Sequence, residues 1–195
     1  MSEIAKTIDE MIRNSLAPKL KASGFKKKAR NFLLEQQDHT KVVNVQASQW
    51  NEGSEGSFTI NLGIYFPEVA DAIDWFPVKN HPKICDCTIN KRIGVLMPGG
   101  CDSWWEISND TDARTVQESI LESWIQYGEP WISHVSDISK AKSELIKQKQ
   151  YFQAAGIALV QNDRAEAKRL LEKELKNRPL AKSKLNAWGK KHELL

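Results

Sequence analysis

The chain of 195 residues has no apolar run near the roughly 18 residues that a membrane-crossing helix needs. Its first residues, Met1-Ser2-Glu3-Ile4-Ala5-Lys6, pass straight into a charged amphipathic pattern without the apolar stretch of a secretory signal. Cysteine is scarce. Three residues, an odd number with no signal, point to reduced thiols in a cytoplasmic protein rather than a disulfide framework. Glycine-rich phosphate loops are missing too, since Gly99-Gly100 reads as a turn after Pro98. No Gly-x-Ser-x-Gly elbow is present, and no Cys or Ser has a partner suggested by spacing. These absences argue against an enzyme. Aromatic residues are not lacking: seven Trp, with 41% hydrophobic and 27% charged residues, describe a folded globular chain.

Charge is unevenly spread. Residues 1–30 carry 8 Lys/Arg against 3 Asp/Glu, residues 31–139 carry 6 against 16, and residues 140–195 carry 14 against 6. An acidic middle between basic ends favours docking of the ends on the middle, or two faces of opposite charge.

The patterning predicts an α+β fold, divided into an α+β domain over 1–136 and a small all-helical appendage over 137–195. Ile4, Ile8, Met11, Ile12, Leu16 and Leu20 form one helical stripe, predicted as a single helix kinked at Pro18 and stopped at Gly24. Alternation then marks an antiparallel meander: Phe32 and Leu34, then Val43, Val45 and Ala47, then Phe58, Ile60, Leu62 and Ile64. A two-residue turn at Asp38-His39 would pair Phe32 with Val45 and Leu34 with Val43. A loop over Asn51–Gly56 would pair Trp50 with Ser57, Val45 with Leu62 and Ala47 with Ile60.

Residues 67–83 read as a loop with a short helical turn, and a strand is expected from Ile84 with Cys85, Cys87 and Ile89 on one face. Trp104-Trp105-Glu106-Ile107 reads as a last strand. A helix capped by Asp110 or Thr111 would then carry Val116, Ile120, Trp124 and Tyr127 and end at Gly128-Glu129-Pro130. Four helices are expected in the tail, at about 138–150, 151–161, 164–177 and 180–190.

Three stretches together carry a resemblance: Gly24-Phe25-Lys26-Lys27-Lys28 with Asn31-Phe32, then Phe58-Thr59-Ile60-Asn61-Leu62-Gly63-Ile64-Tyr65, then Trp104-Trp105-Glu106-Ile107. Over about residues 5–130 the chain resembles a bacterial family known only as a domain of unknown function. The resemblance implies a compact α+β domain and supplies no activity. The tail is similar to one tetratricopeptide repeat at Gly156, Leu159, Ala167, Leu171 and Pro179, with a shorter turn and with Glu174 where a small residue is usual. One such hairpin cannot form the groove of a repeat array.

Candidate chemistry is sparse. His81, Cys85, Cys87 and Cys101 are the sole metal-like set, and C-x-C spacing suits small core residues better than tetrahedral zinc, so no metal and no cofactor is expected. Lys26, Lys27, Lys28 and Arg30 could meet phosphates, but no aromatics interleave with them as in nucleic-acid readers. The polar side of the meander is richer. Asn44, Gln46, Ser48, Thr59 and Asn61, with Trp50 and Tyr65 at its two ends, combine amides, hydroxyls and aromatics where a solvated face usually shows Lys and Glu. The expected function is therefore a non-enzymatic module that binds a protein partner through this face or its acidic flank, as a neutraliser or scaffold. The alternative is a nucleic-acid-associated protein using the basic run and the basic tail.

Overall fold

A computed structural model describes residues 2–195. The N-terminal stripe folds as two helices, α1 (Glu3–Asn14) and α2 (Leu16–Ala22), rather than one kinked helix. The break falls at Ser15, with φ −121° and ψ −87°. Pro18 has no N–H for the carbonyl of Asn14 and its ring would strike that carbonyl, so the turn before it opens. The stripe stays in phase across the break, and all six of its apolar residues are buried. Gly24 takes φ +90°, the stop that the sequence predicts, and Phe25 turns into the core.

Strands β1 (Lys26–Lys28), β2 (Asn31–Glu35), β3 (Thr40–Ala47) and β4 (Gly56–Tyr65) form the antiparallel meander. β5 (Ile89–Arg92) and β6 (Trp105–Ile107) lie along different stretches of the far edge of β4. The faces are as predicted and both registers are displaced by two residues. Phe32 stands opposite Val43, not Val45; Leu62 stands opposite Val43, and Ile60 opposite Val45. The connections account for this. Residues 36–39 form a four-residue loop, closed by a bond from the Gln36 N–H to the His39 carbonyl at 2.8 Å, instead of a two-residue turn. In the next loop the Asn51 side chain accepts from the Ser57 N–H at 2.8 Å and donates to its carbonyl at 3.0 Å. This takes Trp50 out of the ladder. A slip of two preserves parity, so the buried set is unchanged.

The segment after β4 departs further. α3 (Pro67–Ile73) is a full short helix. Ile84–Asp86 is a tight 3₁₀ turn and not a strand, so Cys85 is exposed and Cys87 buried instead of sharing a face. The Asp86 carboxylate accepts the Lys83 N–H at 2.8 Å, which favours a turn over extended chain. α4 (Ala113–Ser123) is capped by Asp112, one residue beyond the expected caps. It does not end at Gly128: Trp124–Gly128 makes one wider π turn that runs into α5 (Glu129–His134), with Pro130 in its first turn. The Glu129 N–H reaches back five residues to the Trp124 carbonyl, and Pro130, which follows, has no N–H to give.

The tail consists of α6 (Ile138–Lys147), α7 (Tyr151–Val160), α8 (Arg164–Asn177) and α9 (Lys182–Lys191). It docks by packing. Phe152 lies 4.3 Å from Trp75 and 4.9 Å from Trp188 between ring centroids, and the Trp188 indole N–H donates to the Ala72 carbonyl at 2.9 Å. Gly156 lets α7 lie against α3, since a Cβ there would come within 2.8 Å of Ile73. One continuous apolar core runs from Ile4 through the inner sheet face to Leu194.

Charge pairs orient the docked tail. Lys91 of β5 donates to Glu144 of α6 at 2.7 Å, with both side chains 18% exposed. The Lys91 ammonium holds the Glu144 carboxyl below its ordinary range. A carboxylate with a depressed folded pKa stabilises fully above the unfolded value of about 4.3, and that stability fades as pH falls through the folded pKa. Glu144→Gln is expected to lower the melting temperature at neutral pH and to change it little in strong acid. Equal losses in melting curves at both pH values would remove the charge from this account.

Candidate functional site

Strand alternation sends the two neighbouring Trp to opposite sides of the sheet. Trp105 stacks on Phe58 of the core, with centroids 5.4 Å apart. Trp104 lies under the Arg92 guanidinium on the polar face, 5.0 Å from its carbon. The displaced register brings Asn31, Asn44, Asn61 and Arg92 into one cross-strand row on that face. Their side chains join. Asn44 donates to Asn31 at 2.9 Å, and Asn61 donates to Asn44 at 3.1 Å and to Gln46 at 3.0 Å. Arg92 Nε donates to the Asn61 oxygen at 3.3 Å, and its guanidinium pairs with Asp102. Arg92 also holds the Asp102 carboxyl below its ordinary value.

This ladder is largely self-satisfied, which fixes its geometry. The side-chain N–H groups of Asn31 and Gln46 have no protein partner among the described residues, so the ladder ends on donors. Gln46 is exposed and Asn44 half-buried. The chain's own loops border the face: Ile84 and Cys87 close on Gly63 at one end, and Thr59 is buried beneath Ser103, to whose carbonyl it donates at 3.1 Å. The tail docks on α3 and Lys91, leaving Gln46 in solvent.

Of the seven predicted residues, Asn44, Gln46 and Asn61 therefore come together, with Thr59 beside Gln46. Ser48 and Ser57 form the next step on the same face and open into a cleft of about 640 Å³. Trp50, 83% exposed, stands at its wall with Glu52, Glu55 and Glu106. Tyr65 is separate: it is buried at the far end, and its hydroxyl accepts the Lys79 N–H at 2.8 Å. The sequence reading missed Asn31, Arg92, Asp102 and Trp104. Asn31 was within reach, since its parity with Leu33 puts it on the polar side, whereas Arg92 and Asp102 arrive from segments whose pairing had no local signal.

The basic run is split by the strand that carries it. Lys26 and Lys28 share the polar face with Leu33 and Asn31, while Lys27 lies over Phe32 on the other side, 5.6 Å from its ring. Arg30 bonds Asp9 at 2.7 Å and the Ala5 carbonyl at 3.0 Å, fastening α1 to the sheet. Among the described residues no group of three or more His, Cys, Asp or Glu is placed to hold a metal ion. Burial pushes the Cys87 thiol well above its ordinary value, which makes it an inert apolar side chain. No helix among them is long and apolar enough to cross a membrane.

No curated protein and no solved structure matches the chain. Residues 16–134, more than half of the sequence, match one family, over a stretch that takes in α2 to α5, the whole meander and every residue of the amide ladder. The helical tail lies outside that match. The chain thus belongs to the family described as Domain of unknown function (DUF4304).

Proposed function

We propose that the protein is a binding module that takes a basic protein partner on the polar sheet face, from the amide ladder to the Trp50 cleft. The observation that carries this reading is Trp50 itself, a large aromatic left in solvent at the wall of a cleft edged by Glu52, Glu55 and Glu106. An indole is poorly suited to water and well suited to anchor an interface, where a few aromatic and Arg side chains supply most of the affinity. Three carboxylates around it favour a cationic partner and speed its association. The free N–H groups of Asn31 and Gln46 would meet partner carbonyls beside that anchor.

Affinity capture from native cells with the intact chain and with Trp50→Ala tests this. A partner of positive net charge should be retained, with binding that weakens in salt. Trp50→Ala should lower affinity roughly 30-fold, the weight of a hot-spot aromatic, with an unchanged melting temperature. Equal capture by the variant would overturn the reading. Lys26 and Lys28 beside Asn31 leave the nucleic-acid alternative an arm of its own: oligonucleotide binding that falls steeply with salt and is lost in Lys26→Ala/Lys28→Ala would support it instead.

A further inference from the structure

A second cavity lies at the Tyr65 end of the molecule and is independent of the Trp50 cleft. It holds about 380 Å³, within the roughly 300–1,000 Å³ of small-molecule sites. The sheet and α3 with its following turn supply Tyr65, Trp75 and Phe76, and the tail supplies Phe152, Gln153 and Arg178. The cavity therefore exists only with the tail docked. Its rim is unusually apolar, with Phe76 77% exposed and the neighbouring Val78 45% exposed.

Polar groups share its wall, and several are already engaged. The Tyr65 hydroxyl accepts from the Lys79 backbone, and Asp86 accepts from the Lys83 backbone. Two features are left over. The Gln153 side-chain oxygen is buried with no hydrogen-bond partner. Arg178 touches Glu174 through Nε at 3.1 Å, and its terminal nitrogens have no partner among the described residues. Lys79 adds a second cation at the wall, and Asp86 a single carboxylate. Glu174 faces Arg178 and is buried, and burial raises its pKa, which weakens it as a counter-charge.

We propose that this cavity binds a small flat aromatic acid. The ring lies against Trp75, Phe76 and Phe152, the anionic group meets Arg178 and Lys79, and a ring N–H serves the Gln153 amide. Aromatic walls select a planar apolar body, and two cations against the one Asp86 carboxylate leave a net positive wall that favours a single negative charge. A long acyl chain would leave the Gln153 oxygen unpaired, which buried acceptors tolerate poorly.

Calorimetric titration of the full chain with indoleacetate, beside uncharged methylindole, tests the proposal. Indoleacetate should bind at one site and methylindole at least about tenfold more weakly, as expected for loss of a charge-assisted contact. Arg178→Gln should weaken indoleacetate by a similar factor, and Arg178→Lys should restore most of it. Phe76→Ser alters an exposed residue that folding does not need and should weaken both compounds severalfold without moving the melting temperature. Absence of indoleacetate binding, equal binding of methylindole, or full binding by both Arg178→Gln and Phe76→Ser would overturn the assignment.

Discussion

Phe152→Ala should lower the stability of the whole chain by roughly 3–5 kcal/mol, the usual loss when a buried aromatic is truncated and its space is only partly refilled. The ring is 3% exposed and sits between Trp75 of the body and Trp188 of α9. Removing it leaves Trp188 held by its bond to Ala72 and its contact with His192, so the loss falls on the junction rather than on either part. For a chain of this length the melting temperature should fall by on the order of 10 °C. The unfolding curve should stay a single transition, because one core runs through both regions. Two separate transitions in calorimetry, with only the smaller one shifted, would show that residues 137–195 fold as their own unit.

That docking was foreseeable in kind. The apolar stripes of the tail, Leu145 with Leu170 and Leu171, are fully buried, as a helix with one apolar face requires. Its helices were legible because long segments rich in Ala, Leu, Lys and Glu state a period of 3.6 clearly. The partner surface was not. Trp75 and Ala72 belong to a segment of three prolines that reads as loop, and only tertiary contact makes a receptor of it.

The sheet shows the same division more sharply. Alternation told which side chains are buried, because one face must meet the core whatever the exact pairing. It could not give the pairing itself. Moving each strand by two residues keeps Phe32, Val43, Val45, Ile60 and Leu62 inside, so apolar pattern alone cannot separate the two registers. The choice is made in the connections, by the Gln36–His39 closure and by Asn51 holding Ser57, and neither is expressed as hydrophobicity. The consequence for the candidate site is direct. In the predicted register Asn44 would face Gly63 and Gln46 would face Asn61; in the observed one Asn44 faces Asn61, Gln46 faces Thr59, and Asn31, Asn44, Asn61 and Arg92 stand in one row. The polar face was thus legible as a composition, with its cross-strand pairs displaced by two residues.

Leu62→Ala is the substitution that tests that register, and it too should be costly, at roughly 2–5 kcal/mol for a fully buried leucine. Its magnitude alone cannot separate the registers, because Leu62 is inside in both. Its coupling can. Leu62 stands directly across from Val43 and only diagonally from Val45, whose partner is Ile60. Directly opposed side chains lie about 4.5–5.5 Å apart at Cβ and diagonal ones about 7–8 Å, so pairwise energy falls off from the first to the second. Double-mutant cycles by denaturant unfolding should therefore give a larger interaction between Leu62→Ala and Val43→Ala, on the order of 1 kcal/mol, than between Leu62→Ala and Val45→Ala. The reverse order would move β3 by two residues along β4. It would separate Asn44 from Asn61, put Gln46 across from Asn61 instead, and break the continuous row from Asn31 to Arg92 on which the binding face is argued.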